Sequence, residues 1–347
     1  MEKYTSFKPG QPWFDTDGNL IQAHGGYMFQ ENGKFYWYGE NKEKSETERE
    51  IWHWGVRLYS SEDLYNWKSE GVILPPELDD ETSPTYYNSK LDRPHILYNE
   101  KTKLYVMWFK VMPSKYSKSN YAAIAVSKSI LGPFKVVKTG YQPYGFQFGD
   151  FELVQYGEKA YIIFEKPHTE MIFAPLSDDY MSVEGEFKSH FHNGHPPFIR
   201  EAPATFVHNN RVYLITSGTT AKFPNPSETA VSNSYVGDWE IIGNPHVGNT
   251  KTSFDSQISC IFKHPKKKNL FIAMADRWLI DLPDNLPNIF EIFDCIYDPN
   301  KESVPYDETM WTKRNTKNAR YVWLPIEFDG ETPVIKWYDE WRWEDFE

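Results

Sequence analysis

The sequence predicts an all-β protein, a five-bladed β-propeller, and two observations carry that reading. One is a hairpin signature that recurs five times. The other is a strand, polar turn and aromatic that follow in the second half of several of those repeats. In the hairpin signature a mostly apolar run passes through a polar turn into a second apolar run, the pattern of two paired strands. The runs begin near residues 25, 93, 149, 201 and 256. Several short strands recurring at a period of about 50 to 70 residues mark a propeller or another repeat array.

In order, residues 25–29 lead through 31–34 into 35–40, and 93–98 lead through 99–103 into 104–109. Residues 149–154 lead through 156–159 into 160–165, 199–207 through 208–210 into 211–218, and 256–262 through 264–269 into 270–275. The second halves read as strands at 56–64, 122–129 and 229–234, followed by Trp67, Phe134 and Trp239. Segments 321–326 and 334–338 can supply the closing strands. A propeller hides its strand edges by circular closure, so the expectation is one domain over 1–347, closed by the chain termini.

Composition fits that architecture and excludes several functions. Aromatics make up 17% of the 347 residues, which suits blade packing and also a platform for the apolar C–H faces of sugar rings. The formal charge of −12 lacks the basic footprint of a nucleic-acid binder. No apolar run approaches the 18 or so residues of a membrane span. The N-terminus has no apolar signal core, so a cytoplasmic protein is expected, or a secreted one whose signal has been removed. Cys260 and Cys295 stand in apolar contexts and read as buried free thiols rather than a disulfide framework. The sequence sets no oligomeric state.

Between the repeats lie stretches that read as loops: 41–50, 75–90, 110–121, 283–294 and 302–319. Recognition residues concentrate in such loops. Segment 187–195 carries His190, His192 and His195 at a spacing that matches no standard zinc site, so no metal site is expected there. Gly25 and Gly26 beside His24 point either to close approach of backbone to a ligand or to a bulge.

Inner strands of a propeller start near its axis, so residues at equivalent strand starts converge. Alignment of the repeats brings His24, Asp92, Asp150, Glu201 and Gln257 around one funnel. Three carboxylates in register are costly unless function or a cation holds them. Paired carboxylates across a pocket are what glycoside hydrolysis requires. Glu201 then reads as the general acid and Asp150 as the like charge that raises its pKa.

These residues carry a resemblance. Gln22-Ala23-His24-Gly25-Gly26, Tyr36-Trp37-Tyr38-Gly39-Glu40, Asp92-Arg93-Pro94, Gly149-Asp150, Arg200-Glu201-Ala202-Pro203, Phe254-Asp255-Ser256-Gln257 and Tyr321-Val322-Trp323-Leu324-Pro325 resemble the family 43 glycoside hydrolases, most of all the branch with exo-β-1,3-galactanases. The resemblance covers nearly the whole chain and implies an inverting, exo-acting hydrolase of β-1,3-linked galactose chains. It implies Glu201 as acid and Asp150 as modulator. Most of the family has a first-blade Asp as base, and here that region reads Ala23-His24-Gly25. The galactanase-like branch shares this departure and implicates a Gln, whose position Gln257 occupies. Asp92 stands where that branch often has a Glu that holds the sugar, and Glu40, His24, Tyr121 and Thr219 are further candidates for substrate contacts. An α-L-arabinofuranosidase, a β-xylosidase or a non-catalytic carbohydrate-binding propeller stays open. No carbohydrate-binding module follows Trp343, so short oligosaccharides are expected to serve better than long polymer. No cofactor is demanded; a structural calcium on the axis stays open, with His24 the nearest polar group.

Overall fold

The computed structural model describes residues 3–46, 50–113, 119–282, 288–304 and 315–347, so the expected loops at 41–50, 110–121, 283–294 and 302–319 lie partly outside the described residues. Five antiparallel four-stranded sheets follow one another along the chain. The first holds β1 (His24–Glu31), β2 (Lys34–Glu40), β3 (Val56–Ser61) and β4 (Lys68–Leu74). The second holds β5 (Lys90–Asn99), β6 (Leu104–Met112), β7 (Tyr121–Ser127) and β8 (Lys135–Tyr141). The third is β9 (Phe151–Tyr156), β10 (Lys159–Lys166), β11 (Glu170–Pro175) and β12 (Lys188–His190). The fourth is β13 (Arg200–His208), β14 (Arg211–Gly218), β15 (Ser227–Ser232) and β16 (Glu240–Gly243). The fifth is β17 (Gln257–Lys263), β18 (Phe271–Arg277), β19 (Arg320–Asp329) and β20 (Thr332–Ile335). Each sheet pairs its strands in chain order, the succession of blades in a five-bladed propeller.

Turn chemistry explains the hairpins. Asn32-Gly33 and Asn209-Asn210 take positive φ at both positions, as two-residue primed turns require, and Asn and Gly tolerate that conformation best.

The backbone gathers into two compact units. One comprises Met1–Ser6, Pro12–Phe164 and Phe173–Phe187, the other Phe7–Gln11, Glu165–Ile172 and Lys188–Glu347. The core of the first uses alternate residues of its strands, such as Met107, Phe109 and Val111 on β6 and Ala123 and Ala125 on β7. The core of the second does the same with Phe271, Ala273 and Ala275 on β18 and Val322, Leu324 and Ile326 on β19. β6 and β18 are buried on both faces, and the alternation of side chains assigns each residue to one face or the other.

The fifth sheet is built from β17 to β20 alone. The N-terminal segment meets it through an isolated bridge of Phe7 to Trp341, with two backbone hydrogen bonds of 2.8 and 3.0 Å and rings stacked 4.3 Å apart.

Two expected loops are corrected. Lys110 lies within β6, and Tyr121 opens β7. The described part of 283–294 holds a helix, α1 (Ile289–Tyr297). Its Ile289, Ile292 and Phe293 fall at helical spacing and pack on Phe223, Trp278 and Leu279, and the Asn288 side chain caps it by accepting from the Glu291 N–H. Among the described residues no helix is long and apolar enough to cross a membrane.

Candidate active site

A single backbone device positions three of the candidate residues. The pairing register breaks between His24 and Tyr27 on β1, between Asp92 and His95 on β5, and between Glu201 and Ala204 on β13. In each case the next residue is left-handed: Gly25 at φ 52°, Arg93 at 51° and Ala202 at 51°. Such a bulge re-aims the side chain at its edge. Arg93 and Ala202 are each followed by a proline, which has no N–H to offer the ladder where the ladder is broken. In β1 glycines do this work. A Cβ on Gly25 would lie 2.5 Å from Glu40 Oε1, and one on Gly26 2.4 Å from the Tyr38 carbonyl. The glycine pair therefore serves a bulge and a close approach to β2.

The strand partners define the chemistry of each position. His24 stands opposite Glu40, Asp92 opposite Lys110, Glu201 opposite Ser217 and Gln257 opposite Asp276.

In the first unit, Asp92 and Asp150 are held by cations. Lys110 Nζ lies 2.8 Å from Asp150 Oδ1 and 3.5 Å from Asp92 Oδ2. Arg93 Nε lies 2.7 Å from Asp150 Oδ2. Burial pushes the Asp150 carboxyl upward and Asp92 adds to that, but the Arg93 and Lys110 charges outweigh both and hold it below the usual carboxylate value. Asp150 is thus a carboxylate at neutral pH. The Trp52 indole N–H donates to Asp92 Oδ1 at 2.9 Å, and the ammonium groups of Lys42 and Lys90 lie 4.3 and 4.8 Å from its ring centre.

In the second unit, Glu201 and Gln257 are joined directly. Gln257 Nε2 donates to Glu201 Oε1 at 3.0 Å and to Ser217 Oγ at 2.8 Å. The Trp278 indole N–H donates to Gln257 Oε1 at 3.2 Å. Beside Glu201, the buried Arg200 binds Thr216 through its hydroxyl at 2.9 Å and its carbonyl at 2.8 Å. Burial lowers the Arg200 guanidinium to about 10, against the pull of Glu228 and Glu201, so it remains charged.

The structure places the remaining candidate residues as follows. Gln257, which the resemblance implicates in place of the missing base, donates to Glu201 Oε1 at 3.0 Å. His24, Glu40 and Thr219 are 0%, 1% and 5% exposed. Glu40 pairs with Lys42 at 2.8 Å and accepts from the Arg93 N–H at 3.1 Å. Thr219 spends its hydroxyl on the Ile199 carbonyl at 2.9 Å, which anchors the approach to β13. Tyr121 packs on the core of the first unit and hydrogen-bonds the Thr139 side chain. In segment 187–195, His192 pairs with Glu170 at 3.2 Å and His195 with Asp294 at 2.9 Å.

Sequence reasoning gave no role to Lys110, Arg93, Trp52, Ser217 and Trp278. The cation demanded by three acidic residues was its one pointer to the first two.

The comparisons bear on family and fold. The model of the glycosyl hydrolases family 43 matches residues 27–261, and the chain belongs to that family; its fold is a five-bladed β-propeller. No curated protein matches it. Among solved structures, a family 43 β-1,3-galactosidase, BT0265, is similar at a TM-score of 0.81 and 28% identity, over 99% of this chain and 65% of its own. A second family 43 β-1,3-galactosidase, BT3683, solved with galactodeoxynojirimycin, is similar at 0.78 and 29%, over 97% and 100%. An exo-β-1,3-galactanase from Clostridium thermocellum is similar at 0.75 and 27%, over 96% and 66%. This chain spans 65% of the length of the first of these.

Proposed function

We propose that the protein is an exo-acting glycoside hydrolase that removes galactose from β-1,3-linked galactose chains, with Glu201 as its general acid. Similarity at 27–29% identity to three structures described as β-1,3-galactosidases or an exo-β-1,3-galactanase supports the substrate. The single observation that carries the mechanism is the half-buried Glu201 held by the Gln257 amide on the neighbouring first strand. A carboxyl so aimed can protonate the leaving oxygen, a contribution worth about 10²–10⁴-fold in rate. Asp150 is the second carboxylate of the reading, kept ionised by Arg93 and Lys110. Gln257 acts as an amide that aims Glu201, because a donor at Oε1 and two acceptors at Nε2 all suit the amide form.

The test is release of galactose from β-1,3-galactobiose, with the anomer formed at early times read by NMR. Appearance of α-galactose first supports inversion at a β-linkage. Cleavage of arabinofuranosides or xylosides with no action on galactobiose would overturn the substrate assignment, and binding without turnover of any of them would overturn the enzyme reading.

A further inference from the structure

The proposal rests on Glu201 being the acid and concerns what sets the amide beside it. An amide side chain can present either its oxygen or its nitrogen to a neighbour, and which one faces Glu201 decides which protonation state of Glu201 is favoured. A donating N–H favours the carboxylate; an accepting oxygen favours the carboxylic acid. Ser217 cannot make the choice, because a hydroxyl donates or accepts equally well. The indole nitrogen of Trp278 can only donate, and it points at Gln257 Oε1 from 3.2 Å.

Trp278 follows β18, two residues beyond Asp276, the strand partner of Gln257. It is buried in the cluster of Phe223, Leu279, Ile289, Ile292 and Phe293. Lys222 Nζ caps its ring at 3.8 Å. The indole thus has a fixed position, set by packing against α1, from which it can dictate the state of a half-buried neighbour. We propose that Trp278 is a positioning residue of the reaction: its N–H locks the Gln257 amide with Nε2 toward Glu201. Without it, the amide can rotate and offer Oε1 to a protonated Glu201 and to the Ser217 hydroxyl.

The other charged groups around this network in the same unit are Arg200 on β13, Asp276 and Arg277 on β18, Asp255 before β17, and Lys222. Lys222, Asp255 and Asp276 line one small pocket with Gln257 and Trp278. A change confined to the indole N–H alters none of these charges, so a shifted pH profile in such a variant reports on the amide.

The experiment is the pH–rate profile of Trp278→Phe and of Trp278→3-benzothienylalanine, which keeps the ring outline and replaces N–H by sulfur. Both are compared with wild type and with Glu201→Gln on β-1,3-galactobiose. The expected result is an alkaline limb moved to higher pH by about half a unit or more in both variants, because the acid form of Glu201 gains an acceptor. The second variant carries the test where the first does not fold. An unmoved limb, or one moved to lower pH, overturns the lock while Glu201→Gln remains inactive. Full activity of Glu201→Gln would instead overturn the assignment of the acid, and the two failures are thereby told apart.

Discussion

Lys110→Met removes the cation that two buried carboxylates share. Methionine keeps the bulk of the stem, so the change is mainly one of charge. In the native protein Lys110 lies 2.8 Å from Asp150 and 3.5 Å from Asp92, with the pair about nine-tenths buried. Arg93 remains on Asp150, but Asp92 and Asp150 then repel each other with one cation fewer. Removal of one partner of a buried ion pair costs about 3–5 kcal/mol. At about 2.1 cal/mol/K per residue for a chain of 347 residues, that loss lowers Tm by about 4–7 °C at pH 7 if the chain unfolds as one. The pH dependence follows from the depressed pKa of Asp150. A carboxyl whose folded pKa is lowered adds stability that is complete above its unfolded pKa, near 3.8, and lost as pH falls through the folded value. Lys110→Met shrinks that contribution. The gap between wild type and variant should therefore be widest above about pH 5 and narrow toward pH 3. Scanning calorimetry at pH 7, 5 and 3.5 measures it. A drop below about 1 °C at pH 7, or a gap that does not depend on pH, would refute the reasoning. Adding Asp92→Asn should recover part of the loss, since the repulsion it relieves grows once Lys110 is gone.

Glu201→Gln should lower the rate on galactobiose by about 10²–10⁴-fold and much less on aryl galactosides with good leaving groups, as steady-state kinetics would show. Gln257→Ala should spare those activated substrates in the same way, because it misaims the acid; equal loss on both classes would return the amide to the water side of the reaction, and a raised KM with intact kcat would make it a binding group. Burial lowers His246 to about 4, so its neutral form adds stability above pH 6.5 that is lost as pH falls toward 4. His246→Leu should flatten that decline by up to about 1.4 kcal/mol per pH unit in urea titrations at pH 7, 5.5 and 4.5. A slope from His53, held at about 3 by burial, should remain.

The repeats were legible because short apolar runs and the Asn-Gly type of turn are local signals, carried by residues such as Asn32-Gly33 and Phe35 to Tyr38. Positions 24, 92, 201 and 257 were legible for the same reason, as each sits at the start of a first strand. Their partners were not. That Lys110 faces Asp92 depends on the β5–β6 register across a bulge, and the Arg93-Pro94 and Ala202-Pro203 pairs that mark such bulges become a signal only once both are compared. Trp278 was hidden because its partner Gln257 comes from the preceding strand and its support from α1. That helix was itself masked by the Asp and Glu residues around Ile289, Ile292 and Phe293.

The left-handed residue after His24, Asp92 and Glu201 fixes where a side chain emerges without fixing what it is. One backbone geometry accepts an imidazole, a carboxylate opposite a lysine, and a carboxylate opposite a serine. Chemistry can then migrate between blades by single substitutions, with no loop rebuilt. The limit is the residue across the ladder. An aspartate at position 24 would stand opposite the buried Glu40, and like charges directly across a strand pair repel. Glu40 there is already engaged by Lys42 and by the Arg93 N–H, so a new acid at position 24 would have to share those partners.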